Sequence, residues 1–208
     1  MPDMRARIAS VISAAALVIA TVAIASAGPA TDQLHDRIDR VLKIVSDPVL
    51  KKDFKTAQRR SLLREIANEI FDFTEISQRS LGRHWQARTA AEREEFVSLF
   101  ADLLERTYVS KIESYAGERI VYAGESVDGD QATVRTKLVT KQDIEIPVDY
   151  RMHQRDNRWR AFDVSIEGVS LVGTYRAQFN AIIARSSYRE LVSRLRVKQD
   201  EAARLQAP

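Results

Sequence analysis

The sequence predicts an α+β protein in which a curled antiparallel sheet of about four strands packs against several helices. Apolar residues recur every three or four positions through the first half of the chain, which is helical spacing. Between residues 119 and 166 the period changes to two, and short turns rich in Gly, Asp and Asn separate the runs. Helical spacing returns after Gly168. Because short turns join antiparallel neighbours, these runs predict one meandering sheet between two groups of helices.

The composition is that of one ordinary globular domain with helical additions. The chain has 208 residues, of which 45% are hydrophobic and 29% charged, so disorder and a protein with many membrane spans are both disfavoured. The net charge is only +3 and the two signs are interspersed, which does not support a nucleic-acid surface. The chain has no cysteine, which excludes a disulfide framework, a thiol nucleophile and thiolate-bound metals.

The N-terminus has the pattern of a secretory signal peptide. Two arginines precede an apolar run over residues 8–25, and Ala-Ser-Ala at 25–27 has the small residues of a cleavage site. We therefore interpret residues 1–27 as a signal peptide cleaved after Ala27, followed by a single domain over 28–208. The alternative is an uncleaved anchor, because the run approaches the ~18 residues of a spanning helix. A secreted protein without cysteine fits a bacterial periplasm.

Two helices are predicted before residue 72. Thr31 or Asp32 is expected to cap the first, and Pro48 is expected to interrupt it because proline lacks an amide hydrogen. A second helical pattern begins near Thr56. The apolar face of the first helix consists of Leu34, Ile38, Val41, Leu42 and Val45, and that of the second of Leu62, Leu63, Ile66 and Ile70.

Two capping boxes predict the next two helices. Asp72 has a glutamate three residues later and begins a short helix that ends at Gly82. Thr89 repeats the spacing and begins a long helix, which Gly117 is expected to end. The apolar stripe of the long helix consists of Phe96, Leu99, Phe100, Leu103, Leu104, Tyr108, Val109 and Ile112.

Four strands are predicted near 119–125, 131–141, 143–154 and 158–166. Alternation places one set of mostly apolar side chains on a common face: Val134, Thr136, Leu138, Ile144, Ile146, Val148, Tyr150, Met152, Phe162, Val164 and Ile166. Charged residues such as Arg135 and Asp149 fall on the opposite face, which is expected to face water. Pro147 lacks a ladder donor, so its strand is expected to lie at an edge or to contain a bulge.

Beyond Gly168, Leu171, Tyr175, Phe179 and Ile182 recur at helical spacing. Gly168 is the predicted corner between strand and helix, and the candidate hinge. A last helix follows, capped by Ser187 and bearing two leucines on one side.

No catalytic set or metal site is predicted. The three histidines lie on separate elements without ligand spacing, and no nucleophile elbow or phosphate-binding loop occurs. Asp149, Asp163 and Glu167 lie in or beside the sheet, where solvated or ion-paired carboxylates are the expected state. Asp163 is expected to face outward or to pair with an arginine such as Arg160.

Three motifs together resemble the MlaC family, the toluene-tolerance auxiliary proteins. They are LGRHW at 81–85, EREEF at 92–96 and FDVSIEGVSLVGTYRAQF at 162–179, of which 168–179 is the most specific. The resemblance extends from about residue 31 to 198. It implies a soluble periplasmic phospholipid carrier. Such a carrier works between an outer-membrane lipoprotein–porin complex and an inner-membrane ABC transporter bearing an MCE-domain subunit.

The resemblance also implies a mixed helix–sheet domain that encloses a deep apolar cavity for acyl chains and leaves the headgroup outside. The implied lining consists of Phe100, Leu104, Tyr108, Val134, Leu138, Ile146, Val148, Tyr150, Phe162, Val164, Ile166, Leu171, Tyr175 and Phe179. Arg176 is the candidate for the cavity mouth, where a guanidinium would suit an anionic headgroup. Phospholipid is the expected ligand, with no cofactor, and the expected state is a monomer that binds no nucleic acid.

Three alternatives remain open at this point. A related protein associated with hopanoid biosynthesis would share the same motifs. A small-molecule enzyme on a cone-shaped α+β scaffold would need a buried Asp or His with a shifted pKa. A periplasmic adaptor with a filled core would need neither a cavity nor a reactive group.

Overall fold

Residues 28–206, which the computed structural model describes, form six α-helices and one five-stranded antiparallel sheet. Side chains are described for 28–109 and 111–201, and the predicted signal peptide, 1–27, lies outside the described residues. The helices are α1 Pro29–Ser46, α2 Thr56–Ile70, α3 Phe73–Leu81, α4 Ala90–Glu113, α5 Leu171–Arg185 and α6 Tyr188–Gln206. The strands are β1 Arg119–Asp128, β2 Gln131–Val139, β3 Glu145–Arg155, β4 Arg158–Ile166 and β5 Val169–Ser170. The α+β prediction is confirmed.

The sheet is a simple meander in which each strand pairs with its neighbour in sequence, in the order β1-β2-β3-β4-β5. The fifth strand was not predicted. It has two residues, which are too few to show a period of two, and it pairs with the end of β4. Glu167 and Gly168 form the connecting turn, both with positive φ, as a two-residue hairpin loop requires.

Both predicted capping boxes begin helices. At α4, Thr89 Oγ1 accepts from the Glu92 N–H at 3.2 Å, and the Glu92 carboxylate accepts from the Thr89 N–H at 2.8 Å. At α3, the Asp72 carboxylate accepts from the Glu75 N–H at 2.9 Å, and Gly82 follows the last helical residue. The long helix α4 ends at Glu113, four residues before the predicted stop at Gly117.

The predicted cap of α1 was wrong. The helix begins at Pro29 after Gly28, and no side chain caps it. Thr31 lies inside the first turn, where both its N–H and its hydroxyl donate to the carboxylate of Glu125 on β1, at 2.7 and 2.6 Å. The hydroxyl that looked like a local cap therefore makes a long-range contact to the sheet.

Most of the predicted sheet face is confirmed by the pairing. Three rows of directly opposed residues lie on it: Val134, Tyr150 and Val164; Thr136, Val148 and Ile166; Leu138 and Ile146. Met152 follows on the same face, opposite Ala161. Helices α1 and α2 cover the part of this face that contains Val134, Met152 and Trp159.

The assignment of Phe162 to this face was wrong. Arg151 pairs with Asp163 and Met152 pairs with Ala161, so Phe162 is the extra residue of a β-bulge. Its ring lies on the opposite face, 5.8 Å from the His153 ring and below the guanidinium of Arg79 at 4.0 Å.

Three further expectations about the helix stripe and β3 were wrong. Ile112 is 39% exposed at the end of α4, and Ile144 is 59% exposed because it precedes β3. Strand β3 is central, although it contains Pro147. The Pro147 carbonyl accepts from the Glu167 N–H at 2.9 Å, just beyond the end of β4. In an antiparallel strand the nitrogen and the carbonyl of one residue point to the same side, so the Pro147 nitrogen also points away from β2. Its missing hydrogen therefore removes no hydrogen bond between β2 and β3.

Candidate functional site

The apolar face of the sheet is covered at one end only. Under α1 and α2, Val134, Met152 and Ala161 have no accessible surface. Towards the other end the side chains on the same face are still apolar but only half-buried, and Ile166 is 42% exposed. The half-buried residues are Leu138, Ile146, Val148, Tyr150 and Val164. A mostly apolar surface that ordinary packing leaves open is the candidate site.

Tyr150 lies on this face and packs against the part that α1 and α2 cover. Burial raises the pKa of its hydroxyl to about 12, since the surrounding protein disfavours the phenolate. The side chain nevertheless keeps accessible surface.

A second tyrosine lies beside it on the same sheet face. Burial also raises the pKa of Tyr122, with a smaller contribution from nearby Tyr150, and its hydroxyl is buried without a hydrogen-bond partner. The ring of Tyr122 packs edge-on against His35 of α1, with 4.8 Å between centroids.

Helices α4 and α5 contribute the other predicted lining residues. Leu104 is buried, whereas Tyr108, Leu171 and Tyr175 are half-buried at the edge of the helical core. Burial raises the pKa of both Tyr108 and Tyr175. Tyr108 and Tyr175 therefore combine partial exposure with an apolar environment, as the half-buried sheet residues do.

Phe100 and Phe179 lie elsewhere, in an aromatic cluster of the helical core. Their ring centroids are 5.0 Å apart in an edge-to-face arrangement, and Tyr175 packs against Phe100 at 4.9 Å. Both phenylalanines are almost fully buried. They hold α4 against α5 and so support the half-buried tyrosines beside them.

Arg176, the predicted headgroup residue, lies at the contact between α3 and α5. Its Nε donates to the carbonyl of Arg79 at 2.7 Å, and its side chain passes over Gly82. This carbonyl belongs to the last turn of α3, where backbone acceptors lack helical partners, so the guanidinium tethers one helix to the other.

Asp163 was expected to face outward or to pair with an arginine such as Arg160; the exposure to solvent was wrong, and the arginine it pairs with is Arg151. It is 3% exposed, although it lies on the polar face of the sheet. Its two carboxylate oxygens accept from the Ser170 hydroxyl at 2.6 Å and from the Val172 N–H at 3.0 Å. The nearest arginine is Arg151, at 3.9 Å. The carboxylate fixes the start of α5 on β4.

A second buried polar pair was not predicted. His153 Nε2 lies 3.1 Å from Asp72 Oδ2, and both side chains are buried. Arg155 also reaches Asp72, at 3.6 Å, and Glu75, at 3.2 Å. The pair joins β3 to the N-terminus of α3. Among the described residues, no group of three or more His, Cys, Asp or Glu side chains is arranged to hold a metal ion.

The fold and this face define a class: α+β proteins in which one end of an apolar sheet surface is left open beneath helices. Within residues 28–206, no helix is both long and apolar enough to cross a membrane. Residues 35–197 match the MlaC protein family, and the chain belongs to that family.

Two relatives give the family a structural and a sequence reference. The chain is 22% identical over 163 residues to the intermembrane phospholipid transport system binding protein MlaC of Haemophilus influenzae, covering 74% of this chain and 75% of the relative. A solved structure of a phospholipid-binding protein from Ralstonia solanacearum, in complex with a phospholipid, matches with a TM-score of 0.71 and 26% identity. That match covers 83% of this chain and 97% of the other.

Proposed function

We propose that this protein binds phospholipid and carries it across the periplasm as the soluble component of an Mla-type ABC transport system. The observation that carries the proposal is the half-buried apolar sheet face, with Tyr150 deep in the molecule yet still accessible. The phospholipid named for the Ralstonia solanacearum structure, which shares this fold, supports the choice of ligand.

The energetics of an acyl chain explain why a carrier is needed. Exposing one methylene to water costs about 0.8 kcal/mol, so a chain of ~16 carbons costs on the order of 12 kcal/mol. Free diffusion of a lipid between two membranes is therefore negligible. A protein that covers the acyl chains removes most of this cost, and it must release them to an acceptor that is equally apolar.

The proposed lining follows from the described positions. Val148, Val164 and Ile166 contact the acyl chains from the sheet, and Tyr108, Leu171 and Tyr175 contact them from the helices. Phe100 and Phe179 support the helical wall. The headgroup stays in water outside the apolar surface, so selectivity among headgroups is expected to be weak.

The proposed setting is the periplasm, reached by cleavage of the signal peptide after Ala27. The protein acts there as a monomer between an outer-membrane lipoprotein–porin complex and an inner-membrane ABC transporter with an MCE-domain subunit. The name of the Haemophilus influenzae relative, an intermembrane phospholipid transport protein, supports this setting. The direction of transfer is set by the partners, because the apolar surface itself favours neither membrane.

Native mass spectrometry of the full chain, expressed in bacteria and purified without detergent, tests the proposal. We expect a co-purifying mass that organic extraction identifies as a diacyl phospholipid. Repeated preparations that contain only the unliganded protein would contradict the proposal. A bound hopanoid would instead favour the hopanoid-associated relative.

A matched pair of variants tests the location. Val164→Trp places an indole on the half-buried face and should reduce lipid occupancy while the protein stays folded. Arg135→Trp places the same group on the exposed polar face of β2 and should leave occupancy unchanged. Equal occupancy in both variants would place the lipid elsewhere.

A further inference from the structure

Several exposed large apolar side chains of the described residues lie near one end of the molecule. At the sheet, this is the end where β2 finishes and β3 begins, with Ile144 before β3. At the helices, Ile112 lies near the end of α4, and Val49 and Phe54 lie in the connection between α1 and α2. Apolar side chains exposed together mark an interaction surface more often than single ones do.

Contacts join the connection over 47–55 to the end of α4, from which the chain leads into the sheet. Arg59 donates to the Leu50 carbonyl at 2.5 Å and pairs with Glu113, at the end of α4, at 2.7 Å. A cleft of about 220 Å³ between these segments is lined in part by Lys51 and Tyr115. From there the chain enters β1, where Arg119 pairs at 3.4 Å with Asp143, the residue before Ile144.

Phe54 is the most exposed large apolar residue of the described chain. It is 76% exposed, in a short 3₁₀ turn, and Val49 in the same connection is 53% exposed. The ammonium of Lys52 lies 5.9 Å from the centre of the Phe54 ring. The connection therefore projects an aromatic ring into solvent with a cation beside it.

The cations of this connection are not neutralised by ion pairs. Lys51, Lys52 and Lys55 form no salt bridge to any described residue. The two acidic residues of the connection are Asp47 and Asp53. Asp47 accepts from the Val49 and Leu50 N–H groups at 2.7 and 3.1 Å, so its carboxylate is turned towards the backbone.

We propose that this connection, residues 47–55, docks on the surface of an anionic lipid bilayer. Phe54 and Val49 enter the boundary between headgroups and acyl chains, and the three lysines contact anionic headgroups. An exposed aromatic residue beside several lysines is the combination that binds such an interface. Because a stable protein interface buries roughly 800 Å² on each partner, a projecting turn of nine residues fits a bilayer surface better than a protein partner.

Vesicle flotation of the purified mature protein, residues 28–208, tests the proposal without the apolar segment of the predicted signal peptide. One set of vesicles contains equal parts of phosphatidylcholine and phosphatidylglycerol, and the other contains phosphatidylcholine alone. We expect the protein to float with the anionic vesicles, less at high salt, and not with the neutral ones. Phe54→Ser should weaken binding to the vesicles by about tenfold, and Lys51→Glu with Lys52→Glu should weaken it by about thirtyfold.

Matched controls lie at the other end of the sheet. Val127→Ser removes an apolar side chain that is also 53% exposed, and Arg158→Glu reverses an exposed charge beside the turn between β3 and β4. Both should float like the unmodified protein. Absence of flotation by the unmodified protein, flotation of the Phe54 and lysine variants at its level, or equal loss in the controls would each overturn the proposal.

The docking proposal is independent of the acyl-chain site. Native mass spectrometry of the Phe54 variant should give the lipid occupancy of the unmodified protein, because the substituted ring contacts solvent. A protein that binds vesicles but carries no lipid would contradict the proposed function alone. One that carries lipid but ignores vesicles would contradict the docking proposal alone.

Discussion

Tyr150 combines a raised pKa with partial exposure on the apolar face of the sheet. Its hydroxyl is so far from bulk water that its pKa rises to about 12, yet its side chain keeps accessible surface. Tyr122, its neighbour, has a buried hydroxyl with no partner among the described residues. Two phenols on one sheet face therefore lie in surroundings that disfavour their ionised forms.

The raised pKa of Tyr150 predicts that the folded protein loses stability at alkaline pH. A tyrosine in the unfolded chain ionises at pH about 10, whereas Tyr150 in the folded protein ionises at about 12. Its contribution to the free energy of unfolding is complete below pH 10. It is lost as the pH rises towards 12, because the unfolded chain releases the proton first. Tyr150→Phe should therefore lose less stability than the unmodified protein between pH about 9 and about 11 in urea unfolding. Equal losses would contradict the assignment.

Asp163 illustrates what a local pattern misses. Alternation correctly places it on the polar face of the sheet, and polar-face carboxylates are usually solvated. The start of α5 folds over this position, so the carboxylate is buried and satisfied by Ser170 and Val172. Ser170 also caps α5 by accepting from the Gly173 N–H at 2.9 Å. Ser170 therefore bonds to β4 as well as capping α5, and no sequence pattern indicates that a cap residue will also bond to a strand.

At the scale of elements, the capping boxes were the most reliable local signals. The reciprocal bonds between Thr89 and Glu92 are satisfied within four residues, so the sequence contains everything needed to specify them. This helix start places Phe96 and Phe100 in the helical core, where both are fully buried.

Thr89→Ala should therefore destabilise the protein by about 1 kcal/mol, since it leaves the Glu92 N–H without its side-chain acceptor. Urea unfolding monitored by circular dichroism measures the change. Ser98→Ala, at an exposed position inside α4, is the matched control and should change stability by less than about 0.5 kcal/mol. Comparable losses in the two variants would contradict the role of the cap.

Most of the sheet was predicted correctly, and the residues that depart from the prediction do so because of tertiary contacts. Strand order and the facing rows follow from alternation and short turns, because both are local. The bulge at Phe162 reversed one side chain, and nothing in the alternating run indicates where an extra residue will occur. The Phe162 ring instead packs below Arg79, which belongs to α3 and lies more than eighty residues earlier in the chain.

At the scale of the whole molecule, the helices form two groups with different relations to the sheet. The α1–α2 pair covers the sheet directly, and α3 to α6 form a core of their own around Phe96, Phe100 and Phe179. The half-buried apolar face lies where neither group fully covers the sheet. A bound lipid would complete the packing there.

Removal of the lipid should therefore lower the melting temperature. A ligand at a hundred times its Kd stabilises the folded state by about 2.7 kcal/mol, which corresponds to roughly 5–10 °C for a chain of this size. Differential scanning calorimetry of lipid-loaded and organically delipidated, refolded protein measures the shift. Identical melting curves for the two forms would contradict a ligand that fills the space beside the sheet.

Local patterns correctly predicted the helix starts at α3 and α4, the four long strands, and most of the side chains that share the apolar face, with Phe162 and Ile144 as the exceptions. These depend on caps, turns and alternation, whose interactions span only a few residues. The family, too, was identified from three short motifs, and the match over 35–197 confirms it.

Which apolar residues belong to a filled core and which are left open depends on tertiary packing. Phe100 and Tyr108 lie on one helix stripe, yet the first is fully buried and the second is half-buried. Phe100 is covered by Tyr175 and Phe179 of α5, which lie more than seventy residues further along the chain. Hydrophobic periodicity reports the preference of a side chain to leave water. It carries no information about whether another side chain or a ligand will cover it.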